Sequence, residues 1–279
     1  MNSGRNALVV EGGGMRGIFT AGVLDAFQKE GFDPFNLYLG VSAGAYNLAS
    51  FLAGMERRNY RIYTEYAVRK EYMNFWRFTR GGHLLDLDWI LSTTNREMGL
   101  DLERLFGSPK EYYIGLTEVS TGRAERIIPD RKNLTELLKA SMAIPLLHRG
   151  FINVNGKDYV DGGLVDPIPV RFAHELGATN IMVLRTRLHS YVMKPGLSEN
   201  AAGFLLRKYP KLVEATYKRP NVYQQSIDFL RNPPAGVKII EINPPEAFQT
   251  QRLTTRLDVL DSDYNLGVSV GLDAMQRWQ

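Results

Sequence analysis

Cysteine is absent from the 279 residues, which excludes disulfides, a thiol nucleophile and thiolate metal sites, and is compatible with a reducing compartment. Histidine is scarce, and the four present are His83, His148, His174 and His189. No apolar run approaches the ~18 residues of a membrane span. Ala7-Leu8-Val9-Val10, after a lone Arg5, is too brief for a secretory core, so a cytoplasmic protein is expected. A large excess of one charge is also missing. Net charge of +4 and a pI near 9.1 exclude a nucleic-acid-binding tail, while mildly favouring anionic surfaces. No internal repeat or low-complexity tract interrupts the chain, and 44% hydrophobic with 23% charged residues describes an ordinary globule with a large core.

What is present centres on Gly40-Val41-Ser42-Ala43-Gly44. This spacing reads as a nucleophile elbow, a strand-to-helix turn so sharp that the serine stands exposed and glycine on either side avoids collision. The flanks supply the context. Leu37-Tyr38-Leu39 is a short apolar run after Asp33-Pro34, and Ala45, Leu48, Ala49 and Leu52 recur as one helical face ending near Gly54. Ser42 is thereby the candidate nucleophile, with a helix N-terminus beside it.

Ala7 to Val10 predicts a first buried strand running into Glu11-Gly12-Gly13-Gly14-Met15-Arg16-Gly17, followed by a helix that stops near Gly31. Gly12, Gly14 and Gly17 fit G-x-G-x-x-G, the dinucleotide fingerprint, which is the main rival reading. That reading needs an acid at the end of the second strand, where Gly40-Val41-Ser42 stands instead; Asp33 precedes the strand. The other use of such a loop is an oxyanion hole, in which the bare amides of Gly13 and Gly14 face a developing negative charge. Two adjacent parallel strands would set this loop and Ser42 side by side at the carboxyl end of one sheet. Arg16 has two readings, a partner for a helix-end carboxylate, which is favoured, or a holder of an anionic group.

Further along, Arg57, Arg58, Arg61, Arg69, Lys70, Arg77 and Arg80 alternate with tyrosines, Phe75, Trp76 and Phe78. This is either a surface for anionic headgroups or a solvated helix whose tyrosines cover the cleft. Residues 112–117 and 123–128 read as a hairpin, Asn133 with Glu136 as a capping box, and Asn155-Gly156 as a tight turn between strands 151–154 and 157–160. The second arm delivers the chain to Asp161-Gly162-Gly163. Beyond 195, the apolar pattern 204–213, a strand near 237–242 and a closing helix from Asp263 to Trp278 are expected, as an appendage that adds one strand.

A serine needs a base. A Ser-Asp-His order could be drawn through Asp161 to His174 or His189, but His174 falls in a short helix and His189 in a polar stretch, and Ser42 sits on the second strand, earlier than an α/β-hydrolase would place it. A dyad of Ser42 with Asp161 is the better reading.

A glycine-rich loop after the first strand, Gly-x-Ser-x-Gly after the second, and a later Asp-Gly-Gly together resemble the patatin-like phospholipase family, as does Ala140-Ser141-Met142-Ala143-Ile144-Pro145. The resemblance covers residues 7 to about 190. It implies a three-layer α/β/α fold with a mainly parallel central sheet, Ser42 as nucleophile, Asp161 as general base and acid, and an oxyanion loop from Gly12 through Gly13, Gly14, Met15 and Arg16 to Gly17. Gly40, Val41, Ala43 and Gly44 would form the elbow, and Gly162 and Gly163 would follow the base. The expected organisation is a catalytic domain over 7–195, with a lid-like insertion at 55–110, and a mostly helical C-terminal extension over 196–279. The implied activity is hydrolysis of acyl esters of phospholipids or related lipids, with no cofactor and no metal, at most peripheral contact with an anionic membrane, and no nucleic acid. The alternatives are a Rossmann-type nucleotide-binding protein and a catalytically silent lipid-binding module.

Overall fold

The computed structural model describes residues 4–194, 203 and 206–278; part of the expected 204–213 pattern lies outside them. Among the described residues eight strands form one sheet: β1 (Arg5–Val10), β2 (Leu37–Val41), β3 (Glu111–Glu118), β4 (Ala124–Ile127), β5 (Ile152–Val154), β6 (Lys157–Asp161), β7 (Ala178–Leu184) and β8 (Lys238–Ile242). The path runs β5-β6-β3-β2-β1-β7-β8, with β4 pairing β3. From β3 through β8 the neighbours are parallel, whereas β4, β5 and β6 pair antiparallel.

The α-helices among the described residues include α1 (Gly17–Lys29), α2 (Ala43–Leu52), α3 (Arg58–Arg61), α4 (Phe75–Thr79), α5 (Leu87–Glu97), α6 (Leu102–Phe106), α7 (Leu134–Met142), α8 (Val170–Glu175), α9 (Pro210–Arg231) and α10 (Leu257–Trp278). Alternation along the strands feeds two cores. Leu8, Val10, Tyr38, Met182 and Leu184 face a cluster with Ile18 and Leu24 of α1, Leu48 of α2, Leu137 of α7 and Leu260 of α10. Ala7, Val9, Leu37, Leu39, Ile181 and Val183 face Val170 and Ala173 of α8 and Tyr223, Ile227 and Leu230 of α9. The parallel strands are thus buried on both faces, as crossover helices require, which makes three layers. Each fully buried Leu or Ile contributes roughly 1.5–3 kcal/mol.

The C-terminal segment is built into this core. β8 extends the sheet beside β7, and α10 lies along α1 so closely that a Cβ on Gly267 would stand 2.1 Å from the Phe19 carbonyl oxygen. Among the described residues no helix is long and apolar enough to cross a membrane.

Two local expectations fail. Asn133 precedes α7 but makes no side-chain cap; its Oδ1 accepts from the Asp130 amide at 2.8 Å, and Asp130 itself accepts from the amides of Lys132 and Asn133. An aspartate three residues upstream has taken the turn, which turns the asparagine away from the helix. Arg58 is no part of a cationic surface: it is 3% exposed, and donates to the Met98 carbonyl and the Ser50 hydroxyl.

Candidate active site

Ser42 follows β2 and caps α2 with φ +55° and ψ −127°, a backbone state that costs a non-glycine residue of order 1–3 kcal/mol and persists only where its surroundings enforce it. The enforcement is visible. Ser42 donates its N–H to Ser141 Oγ at 2.8 Å, and a Cβ on Gly44 would sit 2.4 Å from the Val10 carbonyl oxygen, so only glycine lets α2 start this close to β1.

Asp161 reaches Ser42 by way of β3. Gly115 pairs Val41 of β2 on one edge and Arg126 of β4 on the other, while Leu116 pairs Glu125 of β4 and Asp161 of β6. Since β4 holds one edge throughout, β2 and β6 share the opposite edge and meet there end to end. The carboxyl end of β6 therefore arrives at the carboxyl end of β2. Asp161 is 7% exposed and Ser42 4%, and the two line one cleft, with Ser42 close enough to the Asp161 carboxyl to oppose the rise in its pKa. Asp161 Oδ1 accepts the Gly163 amide at 2.7 Å. Burial raises the Asp161 carboxyl above the ordinary range, opposed by Ser42, by the Gly163 amide and by the positive charges of Arg219 and Arg252.

The glycine loop lies against the pair. Gly12, Gly13 and Gly14 line the same cleft as Ser42 and Asp161, and a Cβ on Gly12 would come within 2.9 Å of Ser42 Cβ. Their amides enter none of the turn and loop hydrogen bonds among the described residues. Met15 and Gly17 differ: the Met15 amide donates to the Arg252 carbonyl at 3.1 Å and that of Gly17 to Gly14 and Met15, so neither is free to face a ligand. The loop is fixed from below, because Thr186 donates its hydroxyl to the Gly12 carbonyl and its amide to Glu11, whose other oxygen accepts the Tyr223 hydroxyl.

Ser42 stands between two cavities. One carries Arg16, Arg187, Arg219 and Arg252 beside the glycine loop and Asp161, with Ile144, Leu146, Leu164 and Met193 also lining it. The other is lined by Tyr46, Ile62, Tyr63, Tyr72, Leu85 and Ile90, and it too reaches Ser42. So Tyr63 and Tyr72 of the cation-and-aromatic stretch line the cleft. Phe75 and Trp76 are exposed.

None of the histidines lines the cleft that holds Ser42 and Asp161. His148 stacks on His83 at 4.0 Å, and burial, then that neighbour, push it down to about 4. His174, on α8, has its Nδ1 beside the Ala178 carbonyl, and His189 is exposed beside Glu241. The acid that a bound ribose would need, Asp33, accepts from Tyr38 and Lys110 at the amino end of β2, the far end from the glycine loop.

Sequence reasoning did not find Ser141 as the partner of the elbow amide, nor Arg187, Arg219 and Arg252. The first lay inside a noted segment without a role, and the arginines belong to no spacing that could have marked them.

Residues 8–174 match a family model described as patatin-like phospholipase, and residues 209–279 match one described as a domain of unknown function (DUF6363). The Escherichia coli (strain K12) protein named uncharacterized protein YjjU is 37% identical over 268 residues, covering 95% of this chain and 75% of that protein. Lysophospholipase nte1 of Emericella nidulans is 29% identical over 63% of this chain but only 12% of its own length, and lysophospholipase NTE1 of Saccharomyces cerevisiae is 28% identical over 63% and 10%. This chain thus spans a small part of those fungal proteins. The crystal structure of VipD from Legionella pneumophila matches 98% of this chain and 67% of that one, with a TM-score of 0.49 and 14% identity.

Proposed function

Because the chain belongs to the patatin-like phospholipase family, we propose that it is a serine lipid acyl hydrolase in which Ser42 and Asp161 form the catalytic dyad. The observation that carries this reading is Ser42, at a strained elbow, lining one cleft with a buried Asp161 and no histidine.

The chemistry runs in two steps. Ser42 Oγ attacks the acyl carbonyl carbon and its proton passes to Asp161, while the amides of Gly13 and Gly14 hold the oxyanion. Collapse breaks the bond to the alcohol, which leaves with the proton from Asp161. Water then gives a proton to Asp161 and attacks the acyl-serine; breakdown releases the fatty acid and returns the proton to Ser42. An aspartate near its reference pKa of ~3.9 is a poor base for a serine hydroxyl, so the burial that raises Asp161 favours the proton transfer. The apolar cavity beside Ser42 suits the acyl chain.

Incubation with a fluorophosphonate and mapping of the adduct tests the assignment. A single adduct on Ser42, abolished in Ser42→Ala together with esterase activity, is expected. Turnover of p-nitrophenyl esters by Ser42→Ala at the wild-type rate would refute it.

A further inference from the structure

The cavity with the arginines holds more positive charge than the dyad reaction uses. Four guanidinium groups, from Arg16, Arg187, Arg219 and Arg252, line it around Ser42. They come from four places in the fold: Arg16 from the glycine loop, Arg187 from just beyond β7, Arg219 from α9, and Arg252 from the segment before α10. Two of the four lie in the region 209–279.

Arg219 Nε donates to the Gly163 carbonyl at 2.7 Å, and among the described residues the two carboxylates that line the cavity are engaged elsewhere. Asp161 accepts the Gly163 amide and stands beside Ser42. Glu11 is engaged by Thr186 and Tyr223, and faces the fully buried Arg185 at 3.7 Å. Arg16 is 6% exposed, yet its Nε has no hydrogen-bond partner among the described residues, and no carboxylate pairs with it in a salt bridge there. The favoured expectation of a helix-end carboxylate for Arg16 is therefore not met. Burial, and after it the repulsion of Arg187 and Arg252, pushes the Arg16 guanidinium down to about 9, with Glu11 opposing. Arg252 is lowered in the same way, by burial and then by Arg219. A buried cation without a partner is costly unless a ligand completes it.

We propose that Arg16, Arg187, Arg219 and Arg252 form a subsite for the phosphate of a lysophospholipid, a terminal phosphomonoester above all, held while its acyl chain lies in the apolar cavity and its ester at Ser42. Guanidinium groups arriving from separate elements match several oxygens of one tetrahedral anion, and a dianionic terminal phosphate offers more of them than a diester. The phosphate is not cleaved. Only the acyl C–O bond breaks, giving a fatty acid and a glycerol phosphate. The inference rests on the hydrolase reading for its substrate, but phosphate binding is measurable without turnover.

The test compares 1-acylglycerol 3-phosphate with 1-acylglycerol of the same chain in nonionic detergent micelles. The wild type should prefer the phosphorylated ester in kcat/KM by about tenfold or more, and Arg187→Gln and Arg252→Gln should each erase most of that preference, with Arg252→Lys keeping part of it. In parallel, calorimetry on Ser42→Ala measures binding of the same lysophosphatidate, of sn-glycerol 3-phosphate and of inorganic phosphate. The lipid should bind most tightly, with weaker affinity for glycerol phosphate that declines with salt. Equal wild-type rates on the two esters, or equal losses on both in the arginine variants, would overturn the subsite. Inorganic phosphate binding as tightly as the lipid would make it a free-phosphate site and overturn the lipid assignment. Binding by Ser42→Ala, with no hydrolysis of either ester by the wild type, would leave the subsite standing and reject the hydrolase.

Discussion

Ser141 holds Ser42 through the backbone: its hydroxyl accepts the Ser42 N–H at 2.8 Å and donates to the Gly115 carbonyl at 2.7 Å. Both serines are buried, so no water replaces these bonds. Ser141→Ala should cost about 1–3 kcal/mol of stability, because an amide and a carbonyl are left unpaired. It should also lower kcat about tenfold with little change in KM, since the elbow loses a strut but the cavities do not change shape. Urea melts and steady-state kinetics on one soluble ester check both, and a variant equal to wild type in each would refute the strut.

The dyad and a histidine triad make opposite predictions. Asp161→Asn keeps the shape but removes the group that exchanges a proton with Ser42, and should lower the rate by a factor of about 10³ or more. His148→Gln, His174→Gln and His189→Gln should each keep most of the activity, because all three lie outside the cleft. One folded histidine variant without activity would end the dyad reading.

Asp161 accepts the proton only when ionised. Burial raises its pKa, so activity should climb with pH along a limb that lies above the ordinary carboxyl value of 3.8. Arg219 and Arg252 favour the ionised form. Removing either charge should move the limb to higher pH. A kcat/KM profile for Arg252→Gln with a limb unmoved or shifted to lower pH would contradict this coupling.

The elbow, the glycine loop and Asp161 could be read from the sequence because each is a local motif whose backbone demands fix its residues: glycine where Gly12 and Gly44 approach neighbouring chain, and a turn supplied by Asn155-Gly156 just before β6. The strands followed from their apolar runs. What could not be read depends on distant elements converging. Arg187, Arg219 and Arg252 share no spacing and meet only because the stretch after β7, the middle of α9 and the segment before α10 line one cavity. Arg58 looked like its exposed neighbours, since sequence gives charge but not the carbonyl it will meet. The capping box at Asn133 lost to a competing turn at Asp130 that makes three hydrogen bonds of its own. The C-terminal segment read as an appendage because its close contact with α1 rests on small residues such as Gly22 and Gly267, which carry no hydrophobic signal.

If the protein touches a membrane, Phe75 and Trp76 are the side chains placed for it, at 68% and 76% exposed. Replacing both by serine should weaken binding to anionic vesicles severalfold in a sedimentation assay, while hydrolysis of a soluble ester is retained. Equal sedimentation by wild type and variant would remove the pair from any lipid contact.

Asp25 couples stability to pH. It lies on α1, 6% exposed, and accepts from the Tyr264 hydroxyl of α10 at 2.8 Å and from the Arg57 amide at 3.1 Å. Burial raises its pKa from 3.8 to about 6, against the opposing pull of those two bonds. The folded chain thus binds the Asp25 proton more tightly than the unfolded chain does. The resulting contribution is complete below the unfolded value of 3.8 and is lost as pH rises through about 6. A shift of this size corresponds to no more than about 3 kcal/mol. Asp25→Asn cannot ionise and keeps an acceptor for Tyr264. Its advantage over wild type should therefore grow between about pH 4 and about pH 7, and then level off. Chemical denaturation of the two proteins across that range measures the difference, and a gap that stays constant or narrows with rising pH would show that Asp25 is ionised in the fold at no cost.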